Sequence, residues 1–567
     1  MESETKQCQS CKQEFTIAPE DFEFYEKIQV PPPTWCPSCR QRRRYALRNE
    51  RVLYRRPCDL CAKSMVTIYS PNKPFKVYCP SCWWGDSWDA GEYGVEYDFN
   101  RSFFEQWQEL QIKVPRMSLL TKNSVNSDYT NHSGDNKDCF LSFSTFNGEN
   151  IIYSTNVYGK QSRDCMDSYR LLNGAELMYE CLDSNQSYNC QFSFQCHACS
   201  DCLYSYDLKG CSNCIFSYNL RNKSYCILNK QYTKEEYQAY LQQLNLGSFE
   251  ERKKLYDKWR EMMETEALHK YANIDKCLNV SGNNLANCKE TYEVFEGDDM
   301  DNVRYTHVAI DVKDARDMYH CGLSSELLYE SQGVVRSSRV LFSHLSYDNH
   351  DIQYCDSCQN SNNLFGCVSV NKSSYRILNK QYSKEEYHNL KEKIIEQMRQ
   401  NGEYGEFFPA SISPIGYNET QGEIYMPMNK EEALALGYKW EDLVPGTYGK
   451  ETLQPEQIPD NIADVTDDIT KLALKCVSCT KNYNIVPAEL LLYRQYNAPI
   501  PRECPDCRYK KRIATRLPRE LWNRQCMCTS NNHEHNDSAC QVNFNTPYSP
   551  DRKDKVLCEK CYQQEVV

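Results

Sequence analysis

One cysteine framework occurs twice in this chain, near each end and in a single register, and it narrows the possible folds more than any other feature. Near the start it reads Cys8-x2-Cys11, 24 residues, then Cys36-Pro-x-Cys39-Arg40. Near the end it reads Cys476-x2-Cys479, again 24 residues, then Cys504-Pro-x-Cys507-Arg508. Adding 468 to an early position gives its later counterpart, and the register holds through Arg51/Arg519, Leu53/Leu521, Arg56/Arg524 and Cys58/Cys526. Paired CxxC motifs at a fixed separation are the spacing of four-thiolate metal sites, because a tetrahedral soft cation takes two ligands from each of two tight turns.

Cysteine accounts for 33 of 567 residues, yet the opening Met-Glu-Ser-Glu-Thr-Lys-Gln-Cys has no apolar core of a secretion signal. No apolar run reaches the ~18 residues a membrane span needs. A cytoplasmic protein is therefore expected, with no membrane partner, and its CxxC spacings point to zinc rather than disulfides. The length implies several domains.

Each end module continues past its first four cysteines. Cys58-x2-Cys61 is followed by Tyr69-Ser-Pro71 and Cys79-x2-Cys82; later, Tyr548-Ser-Pro550 precedes Cys558-x2-Cys561. Cys61 lies eight residues before Tyr69, and Cys540 lies eight before Tyr548, so Cys540 is the register partner of Cys61. An insertion of eleven residues within Met527–Ala539 separates Cys526 from Cys540 and carries Cys528, His533 and His535. Four structural zinc sites are expected: Cys8/Cys11/Cys36/Cys39, Cys58/Cys61/Cys79/Cys82, Cys476/Cys479/Cys504/Cys507 and Cys526/Cys540/Cys558/Cys561. For the last, a rival set takes Cys528, His533 or His535 in place of Cys540; otherwise the leftover Cys and His belong to a mobile polar loop or to a partial extra site.

The run Cys8-Gln-Ser-Cys11-Lys-Gln-Glu-Phe15, with Phe24-Tyr25, Pro33 and Cys36-Pro-Ser-Cys39-Arg40, resembles the small bacterial "probable zinc-ribbon", treble-clef-like modules. Tyr483, Tyr493, Pro501 and Cys504 to Arg508 repeat it less closely. Over nearly its full length, including Gly405-Glu-Phe-Phe-Pro409 and Gly416-Tyr-Asn-Glu-Thr420, the chain resembles a family of zinc-ribbon proteins from candidate-phyla-radiation bacteria. The resemblance implies a fold and brings no activity. In a treble clef the second CxxC opens a helix, which Arg40 to Arg51 suits, having no Gly or Pro. Arg40, Arg42, Arg43, Arg44 and Arg48, with Arg508, Lys510, Lys511, Arg512 and Arg516, make two basic patches on a chain of net charge −12. They are candidate nucleic-acid contacts, with structured RNA one possible ligand. Alternatively, the arginines neutralise the thiolate sites and pair with nearby acids.

The middle is a second duplication. Cys190, Cys202, Cys214 and Cys226 are spaced by twelve, and Phe192, Tyr204 and Phe216 keep the same beat. Such a repeat indicates a stacked β-solenoid, with a coil of 12 or of 24 residues. The phrase Tyr225-Cys-Ile-Leu-Asn-Lys-Gln-Tyr232 returns 150 residues later as Tyr375-Arg-Ile-Leu-Asn-Lys-Gln-Tyr382. Thr233 with Glu236 and Ser383 with Glu386 are capping boxes, predicting helices over Lys234–Leu244, Glu250–His269 and Lys384–Arg399. A degenerate second array keeps Cys288, Cys321, Cys355, Cys358 and Cys367. Array cysteines could form a buried ladder, a metal site or disulfides; the aromatic columns could face solvent or pack beneath the helices.

The expected fold is mixed and mainly β: zinc-ribbon, treble-clef-like modules at both ends flank a duplicated Cys/Tyr-rich β-solenoid-like array with intervening helices. In order these are a double zinc module (1–90), an aromatic connector (91–135), array (136–232), helical segment (233–275), array (276–382), helix (383–400), acidic linker (401–470) and double zinc module (471–567). No P-loop, HExxH, nucleophile elbow or deaminase pattern occurs, and paired acids such as Asp298/Asp299 read as solvated. Two functions fit: a non-enzymatic zinc protein whose basic helices bind nucleic acid or serve a scaffold, and a protein-interaction or architectural protein acting through its array, with the zinc modules as caps.

Overall fold

Among the described residues of both arrays a left-handed backbone residue recurs at nearly every third position. In the first array Asn189, Phe192, Gln195, Ala198, Asp201, Tyr204, Asp207, Gly210, Asn213, Phe216, Asn219 and Asn222 have φ between 47° and 63°. Each such residue turns the chain sharply, and four triplets return it above its starting point. Asn and Asp tolerate this conformation best, which accounts for their frequency here. The computed structural model describes residues 2–289, 291, 294–298, 307–310, 312–313, 325–530, 533, 535 and 539–566. Cys321 and Asp299 lie outside the described residues.

The ladders are parallel and their register confirms the count. Cys202 pairs with Cys214 and Cys214 with Cys226, while His197, Lys209 and Arg221 bridge in the same way. In the second array Ser338, His350, Asn362 and Ser374 are successive partners. The ladder therefore repeats after twelve residues rather than twenty-four, loosening to offsets such as Gly148 with Ser162 and Tyr169 with Leu182.

From Asn189 to Phe216 the residue after each left-handed one goes inside. Cys190, Ser193, Cys196, Cys199, Cys202, Ser205, Leu208, Cys211, Cys214 and Ser217 are at most 2% exposed. Most of these inner side chains are small, and the donors of the Ser and Cys among them find carbonyls. Ser193 Oγ donates to Gln191 O and Cys202 O, both at 3.1 Å. Cys181 Sγ lies 3.4 Å from Tyr179 O and 3.2 Å from Cys190 O. Cysteine serves here as a small hydrophobe with a weak donor. Among the described residues every cysteine is a free thiol.

Bulky residues at left-handed corners are stabilised by stacking. Phe192 and Tyr204 have ring centroids 5.0 Å apart at 7°, and Tyr204 and Phe216 follow at 5.4 Å and 17°. The helix Phe249–Thr265 covers this column, with Trp259 edge-on to Phe194 at 4.6 Å and Lys258 Nζ 4.7 Å from the Phe216 centroid. In the second array Phe342 and Tyr354 stack at 4.7 Å under the helix Phe103–Lys113, whose Trp107 Nε1 donates to Tyr354 O at 2.9 Å. The columns are thus buried under helices.

The chain divides into two compact units, Met1–Leu119 with Ala272–Val444, and Leu120–Tyr271 with Pro445–Val567. The early metal module accordingly belongs with the second array, and the late module with the first. Overall the fold is mixed, with 29% strand and 26% helix. The capping boxes form as expected and start helices Lys234–Gln243 and Lys384–Gln400. Two helices are shorter than predicted. Pro37–Tyr45 stops at Ala46, and Phe249–Thr265 ends early because Leu268–Lys270 pairs in parallel with Lys555–Leu557.

The stretch 401–470 is not an open acidic linker. Phe407, Phe408, Ile412, Ile415 and Tyr417 are buried within the first unit, and Ile458, Ile462, Val465 and Ile469 within the second. Its regularly placed isoleucines and aromatics give it a buried side that acidic composition concealed. Among the described residues no helix is long and apolar enough to cross a membrane.

Candidate metal centres and the clamps behind them

Three of the four centres share one construction. A CxxC turn ends on a left-handed residue (Lys12, Ala62 or Thr480, φ 60° to 64°) and presents two sulfurs. The second CxxC opens a helix, with Cys36, Cys79 or Cys504 at the N-cap and Pro37, Pro80 or Pro505 just inside it. That position suits proline, whose missing N–H costs the helix nothing there. Helix N-termini also favour thiolates through the dipole. The N-cap amide points back to the first sulfur: Cys36 N to Cys8 Sγ is 3.2 Å, Cys79 N to Cys58 Sγ 3.3 Å, and Cys504 N to Cys476 Sγ 3.3 Å.

Each four-cysteine set places its sulfurs within 4.8 Å of one another. Cys11 to Cys36 and Cys479 to Cys504 are 3.7 Å, and Cys61 to Cys79 is 3.9 Å. A tetrahedron with metal–sulfur bonds of about 2.3 Å has edges of about 3.8 Å. A tetrahedral metal therefore fits. The hydrogen bond shared with Cys39, together with burial, pushes the Cys36 thiol up to about 12, and burial pushes Cys504 up to about 12. A divalent cation reverses that, because a coordinating thiol is deprotonated outright.

The fourth centre brings together Cys526, Cys540, Cys558 and Cys561, all buried. Cys558 N again donates to the first sulfur, at 3.2 Å to Cys526. Cys528, His533 and His535 do not replace Cys540. They gather with Cys561 into a further group whose donor atoms also lie within 4.8 Å. Among the described residues the array cysteines form no comparable cluster.

The basic helices behind the first centre of each module are placed otherwise than a nucleic-acid surface requires. Arg40, Arg43, Arg44 and Arg48 are buried, as are Arg508 and Arg512, while Arg42 and Arg516 are half-buried. Only Lys510 and Lys511 of the ten residues are exposed. In the first unit Glu330 receives Arg44 Nη1 at 2.7 Å and Arg43 Nη2 at 3.0 Å, with Arg40 Nε at 3.7 Å. Arg43 also reaches Glu406 at 3.2 Å, and Arg48 pairs with Glu50 at 2.7 Å. In the second unit Arg512 takes Asp167 at 2.7 Å and Glu180 at 3.0 Å. Arg508 takes Asp167 at 3.0 Å and Glu489 at 3.6 Å, and Arg516 lies 3.5 Å from Asp183.

Glu330 and Glu180 are register equivalents, 150 residues apart, as their partners Arg44 and Arg512 are by 468. Both acids sit at left-handed corners, with φ of 44° and 51°, one turn before the stacked aromatics. Burial raises Glu330, but Arg43, Arg44 and Arg40 outweigh it and hold the carboxyl below its ordinary value. Burial raises Glu180 too; Arg512 opposes this only in part and Asp167 adds repulsion, so Glu180 ends above its ordinary value.

A second contact ties each array to the later half of its module. In the first unit Arg116 bonds Asp356 at 2.6 Å and donates to Tyr69 Oη at 2.9 Å, while His344 Nδ1 lies 3.0 Å from Asp356. In the second, His269 Nδ1 sits 3.0 Å from Tyr206 Oη and 3.1 Å from Tyr548 Oη. Tyr548 corresponds to Tyr69, and Tyr206 to Asp356. Sequence reading missed these acids and phenols, although the shared offset of Glu180 and Glu330 was a signal that could have found the first pair. Comparison with protein-family models finds no match, and comparison with curated proteins finds no similar sequence.

Proposed function

We propose that the chain is a non-catalytic, zinc-stabilised architectural protein, in which β-solenoid arrays are the framework and treble-clef-like zinc modules are clamped to them as structural caps. The arginine–carboxylate clamp, whose Arg44–Glu330 and Arg512–Glu180 pairs stand at equivalent positions in the two units, carries this reading. A helix whose guanidiniums are spent on its own array has little left for phosphates. Closed thiolate shells leave no open coordination position for chemistry, and such sites contribute folding energy instead. An exposed solenoid side would then meet a protein partner.

Metal analysis of the purified full chain should give at least about four zinc ions. Chelation should unfold the modules while array strand signal in circular dichroism persists longest. Fewer than about three zinc ions would sink the closed-site reading. Salt-sensitive RNA binding that is abolished in a folded Lys510→Glu/Lys511→Glu variant would instead sink the architectural reading.

A further inference from the structure

In the last centre the inserted loop interrupts the CxxC turn that the other three share. The chain leaves after Cys526 and returns at Cys540, whose N–H donates to Cys528 O at 3.0 Å. That bond holds Cys528 beside the four-cysteine set, 2% exposed, where the other centres have no sulfur. His533 Nδ1 lies 3.1 Å from Cys528 Sγ, and Ser530 N approaches the same sulfur at 3.5 Å. The His533 and His535 rings meet at 5.5 Å and 79°.

His533 is oriented from behind. Its Nε2 faces Glu565 Oε1 at 3.4 Å, from the helix that also carries Cys561. A carboxylate on one ring nitrogen leaves the other nitrogen with a lone pair aimed at a metal, the usual arrangement for a ligating histidine. Two cysteines and two histidines are a complete tetrahedral donor set for zinc. Cys561 belongs to this set and to Cys526/Cys540/Cys558 alike.

We propose that the C-terminal centre is binuclear. One divalent ion sits among Cys526, Cys540, Cys558 and Cys561, a second among Cys528, His533, His535 and Cys561, and the Cys561 thiolate bridges them. With metal–sulfur bonds of about 2.3 Å, a shared sulfur keeps the two ions within about 4.6 Å. The proposal rests on the zinc reading of the four-cysteine sets and adds a fifth ion to it.

The test uses the full chain, loaded with zinc alone and desalted. About five ions per chain are expected, falling to about four in His533→Gln/His535→Gln. A count of about three to four in both proteins overturns the bridge while leaving the closed-site reading standing; a count below about three in the unaltered chain overturns both. Should the variant misfold, the unaltered chain loaded with cadmium-113 decides. The expected spectrum holds one resonance shifted away from the tetrathiolate group and coupled to another through the shared sulfur. Tetrathiolate resonances alone, without that coupling, would overturn the proposal.

Discussion

The two units attach a four-cysteine module to an array at two equivalent places, and they differ in how much charge they use. At the first place both employ arginine on carboxylate, but Glu330 faces three arginines where Glu180 shares Arg512 with Asp167. At the second place the first unit buries an ion pair, Arg116 with Asp356, and the second a neutral group of Tyr206, His269 and Tyr548. The position in the fold is kept while the chemistry changes. Geometry, set by the parallel ladders with their twelve-residue offset and by the CxxC-opened helix, is therefore what the two units share. Charge is one of several ways to fill that geometry. This agrees with the general finding that a buried ion pair is often replaceable as a unit but costly to break from one side.

Removing one partner should expose the difference most. Glu330→Ala leaves Arg40, Arg43 and Arg44 gathered without that carboxylate, and should destabilise the first unit by about 3–5 kcal/mol. Glu180→Ala leaves Asp167 on Arg512, so the loss in the second unit should be about 1–3 kcal/mol. Because the chain has two units, a single unfolding midpoint is not defined; amide hydrogen exchange mapped onto each unit separates them. Equal losses in both units would break the comparison at its first point.

Acid should distinguish the second place. Burial holds His269 below its ordinary value against the pull of Asp554, so the neutral ring is the form the fold prefers. Its contribution is complete above the unfolded value of about 6.5 and is lost as pH falls through the lower folded value. Burial raises Asp356, but Arg116 and His344 outweigh it and hold the carboxyl below the usual range. Its contribution is complete above about 3.9 and is lost only further down. With zinc in excess, hydrogen exchange should show the second unit softening as pH falls below about 6.5 while the first holds to lower pH. His269→Gln should flatten that slope. Softening of both units at one pH would remove the distinction.

The spacing of the four-cysteine sets was readable because a tetrahedral soft-metal site takes CxxC pairs and the same separation recurs near both ends, whereas the array pairs Cys199-x2-Cys202 and Cys211-x2-Cys214 follow the beat of twelve instead. The helices after Gln231 and Gln381 were readable through the caps at Thr233 and Ser383. The coil was half readable. Cysteine recurs at one inner position through four successive turns, at 190, 202, 214 and 226, which exposes a beat of twelve, whereas the underlying triplet is filled by Cys, Ser and Leu inside and by Asn, Asp, Phe, Tyr and Gln at most corners. No residue type marks the corner, so the period of three was hidden. The basic helices misled for a related reason: Arg43 and Arg44 next to Asn49 and Glu50 look exposed by composition. Their partner Glu330 lies 286 residues from Arg44, and only folding brings the two together.

The smallest effect tests the corner itself. Phe216 and Gly366 are equivalent positions, both left-handed, at φ of 49° and 66°. Phe216 stacks on Tyr204 and has Lys258 over its outer face. At Gly366 the covering helix supplies its own ring: a Cβ there would lie 3.0 Å from Phe103 Cζ and 3.1 Å from Leu378 Cδ2. One unit thus fills the site from the array and the other from the helix above it. Gly366→Ala adds the left-handed penalty of an L side chain, about 1 kcal/mol, plus a small displacement of two flexible side-chain ends. Thermal unfolding of the first unit should fall by a few degrees at most. The double variant Gly366→Ala/Phe103→Ala should recover the crowding part of the loss and keep the backbone part, relative to Phe103→Ala alone. A Gly366→Ala variant as stable as the unaltered chain would mean that Phe103 does not occupy the place that Phe216 fills in the other array.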